Sequence, residues 1–132
     1  MNIDAHKLIL RESLDVIKES IRDGIIGRQR TIGFHCSAAL MDMLEIYFHS
    51  KNLIGPGTKI QHDFFSSERK ALEKMPKDFE NKKKIIDILV QIEKKRNVLC
   101  YGKGQEKAYV EEYIELFNRA RRIFDSMGID YE

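Results

Sequence analysis

Apolar residues recur at helical intervals along most of the chain. Between Asp4 and Asp23, Leu10, Leu14, Ile17 and Ile21 stand four, three and four residues apart, the pattern of one buried stripe, and Gly24 closes the helix they predict. From Arg28 to Lys51 the pattern changes. Phe34, Ala38, Ala39, Leu40, Met41, Met43, Leu44, Ile46, Tyr47 and Phe48 place apolar groups on most sides, which predicts a second long helix at the centre of the fold. Gly55-Pro56-Gly57 breaks the periodicity, the chain to Phe65 reads as a loop, and Ser66 starts a short helix that stops by Pro76.

A third long helix is predicted from an N-cap at Asp78, with Ile85, Ile88, Leu89, Ile92 and Leu99 on one face. Two glycines in Gly102-Lys103-Gly104 end it in a tight connection. The final helix buries Tyr109, Tyr113, Leu116, Ala120, Ile123 and Met127. Its Glu106, Glu111, Glu112 and Glu115 come early and Arg119, Arg121 and Arg122 late, an order that suits the helix dipole. No stretch alternates with period two for long enough to be a strand, and no internal repeat is visible. The pattern predicts an all-α fold: an up-and-down helical bundle of four long helices plus a short fifth, formed by residues 1–132 as one domain.

Composition supports this picture. A chain of 132 residues with 42% hydrophobic and 33% charged residues and two prolines suits a folded helical domain large enough for one core. A net charge of +2 is too small for nucleic-acid binding by bulk electrostatics, and Lys82-Lys83-Lys84, Lys94-Lys95-Arg96 and Arg119/Arg121/Arg122 read first as solvated helix faces. Cys36 and Cys100 occur in no zinc or redox spacing and read as small core residues. No signal-peptide pattern and no membrane-length apolar run is visible, so the expectation is a cytoplasmic protein without membrane association. No cofactor is expected.

Polar residues on the central helix change the picture most. Arg28, Thr31, His35, Asp42, Glu45 and His49 fall in one narrow angular strip, which can be a solvent edge or the lining of a cleft. Asp42, Glu45 and His49, at i, i+3 and i+7, could converge on a cation such as Zn²⁺ or Mn²⁺ only with a second ligand-bearing helix, and no metal site is assigned. On the third long helix, Ile92, Arg96 and Leu99 project within about 40° of one direction, so Arg96 lies on the buried stripe. A guanidinium stays protonated and must satisfy its donors there. Two readings are open: its head pairs with Asp42 or Glu45, or it faces a polar cleft between the second and third long helices that takes a phosphate.

The order of a polar strip on a helix, a Gly/Pro-rich loop leading into His62-Asp63-Phe64-Phe65, and a helix ending in "RNVLCYGKGQ" resembles the HEPN domain family (higher eukaryotes and prokaryotes nucleotide-binding). The last helix, "EKAYVEEYIELFNRARRIF", is similar to that family's closing helix. The resemblance spans nearly the whole chain, and only the Arg-Asn turn approaches a motif. It implies a homodimer, with a nucleotide, RNA or a nucleotidyltransferase-type partner protein as ligand, and in some members metal-free RNA cleavage as part of a toxin-antitoxin pair.

In the ribonuclease branch the motif arginine is followed after four to six residues by histidine. Here those positions hold Tyr101, Gly102 and Lys103. A tyrosine, with a reference pKa near 10, is a poor general base where histidine titrates near neutrality. The reading is therefore a binding module with little or no catalysis, its ligand held by Arg96, Asn97 and Tyr101 with His35, Asp42 and Glu45. Arg96 and Tyr101 are the candidate catalytic residues of the alternative, a metal-free ribonuclease that uses a non-standard proton carrier in place of the motif histidine.

Overall fold

The computed structural model describes residues 2–131. Its regular elements are α1 (Ile3–Asp23), α2 (Gln29–Ser50), a 3-10 turn (His62–Phe65), α3 (Glu68–Lys74), α4 (Lys82–Tyr101) and α5 (Lys107–Ser126), with no strand among the described residues. The four long helices run up and down, and α3 is the short fifth. No helix of the described residues is long and apolar enough to cross a membrane.

Helix α2 is the axis of the bundle, as its all-round apolarity predicts. It packs against α1, α4 and α5, and Ile32, Cys36, Ala39, Leu40, Met43, Leu44 and Phe48 are wholly enclosed. Phe65, Tyr113, Phe117 and Phe124 complete the largest buried side chains around it. Two contacts set its partners' directions. Gly33 lies against Leu99 while Ser37 lies against Glu93, so α4 runs antiparallel to α2. The Tyr113 hydroxyl donates to the Gly33 carbonyl at 2.6 Å while the Tyr131 hydroxyl reaches Met43 Sδ at 3.6 Å, so the chain from α5 onward runs along α2 in the same direction.

The buried stripe of α1 is rotated from the expected one. His6, Leu10, Ser13, Ile17 and Ser20 face inward, whereas Leu14 is half-buried and Ile21 exposed. The cause is the polar content of the facing helix: His6 meets Asp42 and Glu45, and Ser13 meets His35, so hydrogen bonding turns α1 away from its most apolar register. At its end Gly24 adopts φ 122°, a conformation strained for any side chain, and its N–H reaches the Ser20 carbonyl.

Helix boundaries also differ in detail. Ser67, not Ser66, caps α3 by accepting from the Lys70 amide at 3.1 Å. Asp78 is not the cap of α4, which starts after Asn81 in the left-handed conformation (φ 59°). The delay follows from Phe79, which is buried edge-on against Phe48 with ring centroids 4.8 Å apart, and from Lys82, whose ammonium donates to the Pro76 and Lys77 carbonyls. Apart from Glu106 at the N-cap, the charges of α5 stand inward of its end turns, which hold neither acidic residues at the start nor basic ones at the finish, so the dipole gains little from them.

At Gly33 the α2–α4 crossing leaves no room for a side chain. A Cβ there would sit 2.9 Å from Leu99 Cβ and 3.2 Å from Cys100 Sγ. Alanine at an unhindered helix position is worth about 0.5–1 kcal/mol over glycine. Here overpacking reverses the sign, and Gly33→Ala is expected to destabilise by about 1–3 kcal/mol in urea unfolding. An unchanged or raised urea midpoint would show that α2 and α4 do not approach this closely.

Candidate functional site

The α2–α4 seam is organised by one buried carboxylate. Glu93 Oε2 accepts from Ser37 Oγ at 3.3 Å and lies 3.2 Å from His62 Nδ1, while its Oε1 faces Arg96 Nη1 at 3.4 Å. Ser37 comes from α2, His62 from the 3-10 turn, and Glu93 and Arg96 from successive turns of α4. Arg96 does point inward as its position on the stripe predicts, with its side chain 12% exposed. Its ion-pair partner is neither Asp42 nor Glu45 but Glu93, three residues earlier on its own helix, with Asn97 Oδ1 also 3.4 Å from Nη1. Arg96 Nε is buried without a hydrogen-bond partner among the described residues.

Ser37 and Glu93 both contact Nδ1 of His62. A serine nucleophile would need the opposite ring nitrogen from the one its carboxylate orients, so this is no acyl-transfer triad. What the arrangement does provide is a partly exposed imidazole oriented by a buried carboxylate, one residue removed from a guanidinium.

Beyond Arg96 the seam opens into a cavity of about 460 Å³ lined by Arg30, Thr31, Phe34, His35, Cys100 and Tyr101. Three bonds pin its two walls together: Gln29 Nε2 donates to the Gln105 carbonyl at 2.9 Å, the Gln105 amide returns to Gln29 Oε1 at 2.8 Å, and Cys100 Sγ reaches the Arg30 carbonyl at 3.7 Å. Phe34 and Tyr101 are large aromatics left 49% and 75% exposed at this opening. Arg96 stands beside the cavity, not in its lining, with Cζ 5.9 Å from the Tyr101 ring centroid.

Electrostatics differ along the cavity wall. Burial holds the His35 imidazole below its ordinary value, against a smaller opposing pull from the Glu12 carboxylate, and Ser13 Oγ lies 3.2 Å from its Nδ1. Burial likewise raises the Cys100 thiol, with the Arg96 and Arg30 guanidinium groups pulling the other way. A raised, enclosed thiol is no activated nucleophile.

Asp42 and Glu45 lie elsewhere, at the α1–α2 contact. His6 Nδ1 faces Asp42 Oδ1 at 2.9 Å and its Nε2 faces Glu45 Oε2 at 2.5 Å, while the Ile60 amide donates to Glu45 Oε1. Burial pushes the Asp42 carboxyl up, opposed by its hydrogen bond to His6 and by the His6 charge. Of the six residues expected to hold a ligand together, Arg96, Asn97, Tyr101 and His35 gather around the seam and its cavity, and Asp42 and Glu45 form a second polar centre with His6.

Several members of these centres escaped the sequence reading. Glu93 was legible as the i, i+3 partner of an inward arginine. His6 shares a helical face with Leu10, Ser13 and Ile17, a signal available had the stripe been drawn one position earlier. Ser37 and His62 carry no local signal, since only the docking of the 51–61 loop brings them together.

The Glu93–Arg96 pair makes a stability prediction. Glu93→Ala strands a mostly buried guanidinium and is expected to cost about 3 kcal/mol or more. Adding Arg96→Met removes the stranded charge, so the double variant should be more stable than Glu93→Ala alone in urea unfolding. A double variant that simply loses both contributions would show that the two side chains are uncoupled.

His35 makes a pH prediction. A histidine lowered in the folded chain favours its neutral form there, and the unfolded chain protonates first as pH falls through the ordinary value of 6.5. Its contribution is fully present above that value and is lost progressively below it. His35→Gln should flatten the acid-side fall of the urea midpoint relative to wild type, and parallel profiles would refute the shift.

No protein-family model matches this chain, and neither a curated protein nor a solved structure is matched by it. The geometry of the seam and its cavity therefore carries the functional argument.

Proposed function

We propose that the chain is a HEPN-like helical module that binds a nucleotide or single-stranded RNA at the end of the α2–α4 seam, with little or no catalysis. The observation that carries this reading is the cavity of about 460 Å³ in which exposed Phe34 and Tyr101 rings stand with the guanidinium-bearing Arg30 and with His35. Aromatic faces stack on bases without regard to sequence, and an arginine supplies bidentate donors to a phosphate. Arg96 acts as a positioning residue. Held by Glu93 and Asn97, it places a cation near the Tyr101 ring and keeps the last turn of α4 in place.

The homodimer and the nucleotidyltransferase-type partner that the HEPN resemblance implies are part of the same proposal. Phe34 and Tyr101 give such a partner an apolar contact beside the ligand. Sedimentation of the purified chain tests the dimer directly.

The ribonuclease reading is favoured by one specific arrangement, His62 oriented by Glu93 with Arg96 on the same carboxylate. In that reaction a base removes the 2′-hydroxyl proton, the oxygen attacks phosphorus, the P–O5′ bond breaks with formation of a 2′,3′-cyclic phosphate, and the departing oxygen takes a proton. His62, rather than Tyr101, would carry the proton.

Labelled single-stranded RNA and mononucleotides, incubated in EDTA and followed for both retention and cleavage, separate these readings. Retention is expected in wild type and should weaken roughly 10-fold or more in Arg30→Ala and in Tyr101→Ala, in line with about 1–3 kcal/mol for each stacked base. Cleavage to a cyclic phosphate that vanishes in His62→Ala and Arg96→Ala, with both variants folded, would replace the binding reading by the ribonuclease. Absence of both retention and cleavage would reject both and leave a partner protein as the occupant of the aromatic surface.

A further inference from the structure

The second polar centre does not line the cavity proposed for the nucleotide, yet it holds three ligand-type groups at one point. His6 on α1 and Glu45 and His49 on α2 each offer one donor atom, all within 4.8 Å of one another, and His6 and Glu45 are buried. We propose that this is a binding site for a divalent first-row cation of the Zn²⁺ type, held by His6 Nε2, a Glu45 carboxylate oxygen and a ring nitrogen of His49.

Two imidazoles and one carboxylate form a common zinc donor set that leaves a fourth position for water. Glu45 and His49 are one helical turn apart and share a face of α2. The packing of α1 supplies the third group, the second ligand-bearing helix that the α2 pattern alone lacks.

The outer contacts favour the same assignment. A metal-bound histidine ordinarily donates its other ring N–H to a carboxylate or carbonyl, and a bound carboxylate is itself hydrogen-bonded. Both conditions are met here: His6 Nδ1 lies 2.9 Å from Asp42 Oδ1, and Glu45 Oε1 accepts from the Ile60 amide. These contacts leave His6 Nε2 and Glu45 Oε2 facing each other at 2.5 Å. Neighbouring ligand atoms of a tetrahedral site with bonds near 2.1 Å stand about 3.4 Å apart, so entry of the ion opens that pair by roughly 1 Å.

His49 separates this proposal from a plain buried salt bridge. The salt bridge needs His6, Asp42 and Glu45 and has no use for a second histidine. The His49 ring nonetheless stacks on His6, with centroids 6.2 Å apart and planes 25° from parallel. It also lines a cavity of about 760 Å³ with Asp4, Asn52 and Pro56, which supplies an entry path and room for the fourth ligand.

Untagged full-length chain, stripped with EDTA and desalted, is titrated with Co²⁺ and then Zn²⁺ while visible absorption and Tm are followed. Wild type is expected to give the visible bands of a four-coordinate Co²⁺ site, bleached by Zn²⁺, and a Zn²⁺-dependent rise in Tm of about 5 °C or more at 100-fold excess over Kd. His49→Ala, checked for fold by circular dichroism, should lose the bands and weaken Zn²⁺ binding at least about 100-fold, whereas Asp42→Asn should weaken it about 10- to 100-fold. The proposal is overturned by a wild-type chain that shows neither bands nor a Tm rise, by binding that survives His49→Ala, or by thiolate charge-transfer bands that place the ion on cysteine. RNA retention measured in EDTA bears on the other end of α2 and does not affect this outcome.

Discussion

The Glu93 carboxylate is the interaction on which the α2–α4 side of the bundle depends. It is enclosed by the core, and a buried carboxylate is tolerated only when its oxygens are occupied. Its occupants come from every element around it: Ser37 fixes the rotation of α2, His62 anchors the chain after the long 51–61 loop, and Arg96 is drawn inward on α4. Once Arg96 is drawn in, the last turn of α4 carries Asn97 and Tyr101 on its outer side, and Tyr101 meets Phe34 across the cavity. The exposed aromatic surface at the cavity is thus a consequence of satisfying one buried charge.

The same principle acts where α2 faces α1. There the polar groups are Asp42, Glu45 and His35, and the helix that covers them answers with His6 and Ser13. Hydrogen bonding takes priority over apolar burial, which is why Leu8 and Ile21 remain exposed on α1 while a histidine and two serines are enclosed. Leaving a buried donor or acceptor without a partner costs about 1–3 kcal/mol. An exposed aliphatic side chain forfeits a comparable amount or less, so the polar register wins.

This competition explains what was legible in the sequence. The bundle was readable because α2 is long and apolar on most sides, because the stripes of α4 and α5 survive errors of one or two positions, and because Gly24 and Gly102 mark helix ends unambiguously. The inward direction of Arg96 was readable for the same reason. The stripe of α1 was not, since apolar periodicity carries no information about which polar groups stand opposite. The partner of Arg96 was readable at Glu93, one turn earlier on the same helix, whereas Asp42 and Glu45 on α2 are both engaged by His6. The start of α4 shifted because the burial of Phe79 is decided by its contact with Phe48, outside its own segment, whereas the α3 start moved by one residue through the local bond of Ser67 to the Lys70 amide.

The two centres sit at opposite ends of one helix, and the helix itself distinguishes them. Arg30 and Thr31 belong to the first turn of α2, where free backbone N–H groups favour an anion, and the α2 start contributes no acidic side chain to oppose one. His49 belongs to its last turn, at the end of the helix dipole that favours a cation, where the Tyr47, Phe48 and His49 carbonyls accept from the Lys51, Leu53 and Asn52 amides. The separation from Thr31 to Glu45 is about 21 Å at 1.5 Å per residue, well beyond the Debye length of about 8 Å at physiological ionic strength. A phosphate at one end and a divalent ion at the other would therefore be bound independently through solvent. Any coupling between them has to pass through the rigid body of α2 and the Glu93 contacts along its side.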